Sequence, residues 1–408
     1  MGNPIDHQQL PTNLSGNEHF QQVVDRVVSR RGFMLKTGAG AAAVAFMSSG
    51  LTACGGSSED QPLLGFTPIQ AYSEDGLSVA SGYTATVFVP WGTPLFSTGA
   101  GSSWAGDGSE TAADQLRQVG DNHDGMHFFA IDGKSDEGLL VMNHEYSTTT
   151  KASGYKNYLT LFGSVAAPAD TLDRVNKAIN AWGCSVIHIK RSAGKWDVVK
   201  DSQYNRRITS ATPMLLTGPA AGSDWLKTNA DPSGTLVLGT INNCGNGFTP
   251  WGTYLTCEEN WNNNFGTTVE PTVDGRTDQQ KRYGLATGTT GYGWEVFYDR
   301  FDYKKEPNES NRFGWIIEID PFDPTSTPKK RTALGRFKHE NAAYRIDKNG
   351  RVAVYMGDDE ANDYVYKFVS NGKYIAGDAN NNRNLLDSGT LYVAQFNDGA
   401  TTGDMMGT

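Results

Sequence analysis

The sequence predicts an all-β fold, a β-propeller with long decorated loops and few helices. Short runs rich in β-branched and aromatic residues recur along the chain, at 83–89, 126–131, 139–142, 185–189, 196–199, 235–240, 253–257, 314–319, 351–356, 364–369 and 390–395. The Gly, Asn and Asp clusters between them read as turns joining many strands. The composition agrees: 47 Gly, 17 Tyr, 18 Phe and 9 Trp in 408 residues favour strands and turns and exclude a helical bundle or coiled coil. The runs 351–356 and 364–369 also flank an acidic loop, as inner strands of a propeller blade would, and this favours a propeller over a sandwich.

In chain order, the first segment is an address. Arg30 and Arg31 precede a weakly apolar Gly/Ala stretch over 37–50, which reads as a twin-arginine export signal and is too short to span a membrane. Leu51-Thr52-Ala53-Cys54 then resembles a lipobox, in which Cys54 is acylated to anchor the chain in a membrane; an ordinary cleavage site before Cys54 is the alternative. The expected organisation is a signal segment over 1–53, a flexible Gly/Ser tether over 54–65 and a propeller domain over 66–408. The expected route is export through the twin-arginine machinery to the periplasm, the envelope or the outside. Gly38-Ala39-Gly40 mimics a dinucleotide fingerprint but follows no strand and is discarded. The one helix expected, over 171–181, has Leu172, Val175 and Ile179 at helical spacing. With 35 Lys and Arg against 45 Asp and Glu, the net charge of −10 argues against nucleic acid as a partner. Four Cys are too few for a disulfide scaffold.

The densest chemistry lies at 242–260, where a Gly-rich loop carries Cys244 and a strand leads to Glu258 and Glu259. If Cys54 is acylated, three Cys remain and at least one is unpaired in an oxidising compartment. A thiolate is a soft metal ligand and carboxylates are hard ones, so the segment suits a mixed-metal site. A Cys244–Cys257 or Cys184–Cys257 disulfide, or an inert buried thiol, fits the spacing equally well. Glu258 and Glu259 point to opposite faces if both are in the strand. Further acidic islands are Asp358-Asp359-Glu360 with Asp363, readable also as a solvated hairpin tip, then His339-Glu340, His144-Glu145 and Asp121–Asp124. A strand-end His more often caps or packs than binds metal. The stretch 378–389 starts like a calcium loop, but Arg383 takes the glycine place and no Glu closes it. Neither a Gly-x-Ser-x-Gly elbow nor a Walker loop is present.

Taken together with the twin-arginine leader, these segments resemble the PhoX-type alkaline phosphatases: Asp124-Gly125-Met126, Asn143-His144-Glu145-Tyr146, Asn243-Cys244-Gly245, Thr249-Pro250-Trp251-Gly252-Thr253, Cys257-Glu258-Glu259-Asn260, Lys338-His339-Glu340-Asn341, and Asp358-Asp359 with Tyr366-Lys367-Phe368-Val369. The order matches over nearly the whole mature chain, and the Cys loop is the most specific part. The resemblance implies a six-bladed propeller, monomeric at full length, whose funnel holds iron and calcium and hydrolyses phosphate monoesters to inorganic phosphate. It assigns Cys244 as thiolate ligand of iron and Glu259 and Glu340 as carboxylate ligands, these three forming the catalytic set, with Glu258, Asp359 and Glu360 as further metal ligands. An acidic protein can receive a dianionic phosphate ester only if bound cations reverse the local field. Nothing after Lys367 matches the family's later Arg-Pro-Glu motif, so the chain reads as the front part of a longer protein, with little activity expected of it alone. Competing readings are a calcium-dependent propeller hydrolase of lactones or phosphotriesters, and a lipid-anchored calcium-binding propeller without catalysis.

Overall fold

The structure, a computed structural model, describes residues 69–71, 76–149, 160–163, 170–269, 274–395 and 405–407. The export signal, the tether and Cys54 lie outside the described residues. The chain forms two compact units, Met1–Ala85 and Thr86–Thr408. The described residues of the first contain no helix or strand.

The second unit is built from three sheets in chain order. The first begins with the hairpin β1 (His123–Ala130) and β2 (Glu137–His144), whose turn passes through Asp132 and Gly133 in the left-handed region. The helix α1 (Ala112–Gln115) precedes it, and α2 (Leu172–Ala181), capped by the Thr171 side chain, leads into β3 (Gly183–Ser192). Strands β4 (Lys195–Val198) and β5 (Arg206–Ile208) both pair with β3. The second sheet comprises β6 (Pro213–Thr217), β7 (Leu236–Leu238), β8 (Asn243–Phe248), β9 (Tyr254–Glu258), β10 (Ile316–Ile319) and β11 (Lys329–Arg331), in the order β7-β6-β11-β10-β9-β8. The third is an antiparallel meander of β12 (Ala343–Ile346), β13 (Arg351–Gly357), β14 (Val365–Lys373), β15 (Gly389–Ala394) and β16 (Met405–Gly407).

The second sheet is apolar on both faces, and strand alternation explains how. Tyr254 and Ile317 pack into a core shared with Val141 and Val186 of the first sheet. Leu255, Cys257 and Ile316 pack against Val352, Val354 and Phe368 of the third. Burying both faces of one sheet is how blades stack around an axis. The terminal strands β1, β8 and β12 meet on the axial side, where β8 touches both neighbours and Gly247 bridges Ala342 in parallel. Here the backbones approach too closely for side chains. A Cβ on Gly247 would lie 1.7 Å from the Ala342 carbonyl oxygen, and one on Gly245 would lie 1.9 Å from that of Glu340.

Apart from 83–89, the predicted runs fall on strands, and the predicted helix is α2. Residues 83–89 join no sheet, and Val87 is 82% exposed. The sequence reading also missed β5, β6, β8, β11, β12 and β16. Strand β8 reads as a loop because its Asn and Gly residues, chosen for close backbone approach, are poor strand formers.

Candidate metal centre

Each sheet contributes to one site at equivalent positions. The residue pairs His123 and His144, Asn243 and Glu258, and His339 and Asp358 are bridge partners at the same end of the three sheets. The next residue after each partner carries a donor: Asp124 and Glu145, Cys244 and Glu259, Glu340 and Asp359. Each pair comes from the start of an axial strand and the end of its neighbour, which antiparallel pairing places side by side.

These six groups converge. Glu145, Cys244 and Glu259 each place a ligand atom within 4.8 Å of the others, as do Glu259, Glu340 and Asp359. Glu259 belongs to both sets. Its carboxyl shares hydrogen bonds with those of Glu145 and Asp359, and Asp124 meets the Cys244 thiol. Burial, the Asp359 contact and the charges of Glu145, Asp359 and Glu340 push the Glu259 carboxyl up to about 8. Burial raises Glu145, reinforced by Asp124, and burial with Asp359 raises Glu340. Burial and the Asp124 contact push the Cys244 thiol far up, with the Glu259 and Glu145 charges adding to it. Anions held together in this way need a counter-charge, and a sulfur among carboxylate oxygens is a donor set that accepts both soft and hard cations.

All three described cysteines, Cys184, Cys244 and Cys257, are free thiols, so neither disulfide alternative forms. Cys184 and Cys257 are buried, and Cys244 is half-buried. The two His-Glu motifs divide their labour: both Glu residues enter the cluster, whereas the imidazoles pack. His144 bonds the Ser185 hydroxyl at 2.7 Å, and His339 bonds the Gly335 carbonyl at 3.0 Å.

The family model of alkaline phosphatase PhoX matches residues 64–406. The chain belongs to this family. It is also similar to the solved structure of Pseudomonas fluorescens PhoX in complex with vanadate, a transition state analogue, at 46% identity and a TM-score of 0.76. That match covers 82% of this chain and 56% of the solved one, so the chain spans just over half the length of that PhoX. No curated protein matches the chain. The likeness to PhoX extends to the fold, and the three sheets are blades of a propeller.

Against the PhoX motifs, Cys244, Glu259, Glu340 and Asp359 come together, whereas two other sequence candidates stand elsewhere. Glu258 stands outside the donor cluster. It faces the interior, where Lys330 donates to Oε1 at 2.7 Å and the Gly314 and Trp315 amides donate to Oε2 at 2.9 and 3.1 Å. Glu360 is likewise drawn away, into a 2.5 Å ion pair with Lys338 that holds its carboxyl below the usual range. The sequence reading did not choose Asp124 and Glu145, although both lie in motifs it quoted. The signal that finds them is positional, because each follows a bridge residue as Cys244 and Glu259 do.

Proposed function

We propose that the six convergent donors hold a cation cluster of iron and calcium, and that the protein to which this chain belongs hydrolyses phosphate monoesters with it. The observation that carries the reading is the placement of Cys244 within 4.8 Å of Glu145 and Glu259, beside a second carboxylate set. Cys244 would hold the softer iron ion with Glu145 and Glu259, while Glu340 and Asp359 with Glu259 would hold calcium. When bound, the cations supply Lewis-acid stabilisation of the phosphoryl oxygens and of the leaving alkoxide.

The chain's own residues do the rest. Burial and neighbouring charges raise the Glu259 and Glu145 carboxyls, so loading of cations there would release protons. The three blades fix the donors from rigid strand ends rather than from free loops, which preorganises the site. The related PhoX was solved in complex with vanadate, a transition state analogue, and this supports the same reaction class here. The reading also includes twin-arginine export, acylation at Cys54, location in the periplasm or envelope or outside the cell, and a monomeric state at full length.

The test pairs elemental analysis with hydrolysis of a chromogenic phosphate monoester by the protein extended to the length of its relative. The expected result is iron together with calcium, turnover that chelation abolishes, and vanadate inhibition. Cys244→Ser and Glu259→Gln should each lose about 100-fold or more, since even residues supporting a metal ligand cost 10–100-fold. Calcium without iron, or cleavage of lactones and phosphotriesters in preference to monoesters, would contradict the assignment.

A further inference from the structure

Beneath the donor cluster lies a fully buried side chain with no place in the ligand set. Asn143 stands in β2, two residues before Glu145, on the strand that ends at the site. Its amide nitrogen donates to the Cys244 carbonyl at 2.5 Å and to the Gly245 carbonyl at 3.0 Å. Its amide oxygen accepts from the Thr256 hydroxyl at 2.8 Å, the Tyr254 hydroxyl at 3.0 Å and the Cys184 thiol at 3.3 Å. The Tyr254 hydroxyl also approaches the Gly125 carbonyl at 2.8 Å, next to Asp124.

Both amide protons are therefore spent on consecutive carbonyls of the neighbouring blade, and the oxygen is saturated. Few side chains can do this. A carboxylate in the same place has no proton for either carbonyl, and an aliphatic residue would take the amide donor from both carbonyls and the acceptor from the Thr256 hydroxyl, while the Tyr254 hydroxyl would keep only the Gly125 carbonyl. Strand β8 needs such a clamp. Its glycines add no side-chain packing, and its pairing with β9 shifts register between Asn243 and Asn246, directly at Cys244. A bulged, glycine-rich strand does not by itself fix where its sulfur points.

We propose that Asn143 is a positioning residue that sets the spacing of the Cys244 sulfur against Glu145 and so decides whether that sulfur shares a cation with the carboxylates. The inference rests on the metal reading above for its consequence but not for its geometry, because the clamp joins two backbone segments whatever they hold. It also predicts selectivity between the two donor sets. Glu259, Glu340 and Asp359 come from the second and third blades, and the hydrogen bonds of Asn143 go to other residues.

The test uses Asn143→Asp, close to isosteric, and Asn143→Ala, each alone and combined with Cys244→Ser. The first readout is the rate at which a thiol reagent alkylates Cys244 in the chelated protein, with Cys184 and Cys257 protected by burial. A several-fold rise in either variant, with the thermal midpoint still cooperative, is the expected result. The second is cadmium titration followed by sulfur-to-metal charge-transfer absorption. Affinity at the sulfur-containing site should fall about 10–100-fold, the range for residues that orient a ligand, while calcium binding by the carboxylate set stays within about threefold. In the Cys244→Ser background, substitution of Asn143 should no longer change cadmium affinity, because the two residues act through one element. Unchanged alkylation in both Asn143 variants, or an equal loss at both cation sites that persists without the Cys244 sulfur, would overturn the proposal. Should the parent protein show no charge-transfer band, the metal reading fails, and the alkylation rates alone decide on Asn143.

Discussion

Replacing Lys330 with Met should cost about 3–5 kcal/mol of stability, the penalty for leaving a buried charge without its partner. Lys330 and Glu258 are both completely inaccessible, and their 2.7 Å ion pair is supported on every side. The ammonium also donates to the Arg312 carbonyl at 2.9 Å and sits 3.8 Å above the Phe313 ring. Burial lowers the amine to about 8, and the Glu258 charge opposes that shift. Met matches the stem of Lys in length but leaves Glu258 facing the apolar interior with only two backbone amides. The loss should therefore be much larger than for an exposed, solvent-screened pair such as Lys227 with Asp224. Adding Glu258→Gln to Lys330→Met should recover a large part of it, because a neutral amide removes the unpaired charge. Urea unfolding of the parent protein and the two variants measures both effects, and a loss below about 1 kcal/mol in Lys330→Met alone would show that the pair is not what holds β9 in place. The consequence for the site is direct: β9 ends at Glu258, and the next residue is Glu259.

Stability of the cation-free protein should fall as pH rises from about 5 to 9. The sign follows from the direction of the shift. Glu259 is raised from 4.5 to about 8, so between these values the folded state keeps a proton that the unfolded chain has released. Stability is then lost with rising pH until the folded group also ionises. Glu145 and Glu340 are raised by burial, reinforced by neighbouring carboxylates, and act in the same direction, and Asp358, pushed up to about 6 chiefly by burial, adds to it. Histidine acts oppositely at the acid end. Burial drives His339 down to about 3 and His144 well below its ordinary value, so the unfolded state gains protons first as pH falls below about 6.5. The chelated protein should thus be most stable in mildly acidic solution. Saturating calcium should flatten the alkaline limb by replacing the shared protons, and Glu259→Gln should flatten it without calcium. Denaturant midpoints measured from pH 5 to 9 test this, and a midpoint that does not move would mean that the acids do not crowd one another.

Much of this organisation was legible in the sequence because it is written in alternation. The runs that became β2, β3, β9, β10, β13 and β14 carry apolar residues that pack between blades. Strand β8 was not legible because its Asn and Gly residues are poor strand formers, and β12 because it is only four residues long, with Tyr344 alone packed against the core. The run Lys329-Lys330-Arg331 is another case. Three consecutive cations suggest a solvated edge, yet Lys330 and Arg331 are almost wholly buried because Glu258, Glu318 and Asp387 meet them from other segments. Motif reading named Cys244, Glu259, Glu340 and Asp359, which the structure brings together. It could not separate Glu258 from Glu259, because a period of two says that they diverge but not which one turns inward. Glu145 needed the ladder itself, in which it stands to His144 as Glu259 stands to Glu258.

The claim on which the rest depends is that equivalent positions of three blades jointly ligate cations. Anomalous diffraction from crystals grown with iron and calcium tests it most directly. The expected result is an iron peak bonded to Cys244 Sγ with Glu145 and Glu259 beside it, and a calcium peak among Glu259, Glu340 and Asp359. Cations bound at other residues, or a Cys244 sulfur joined to another cysteine, would contradict it.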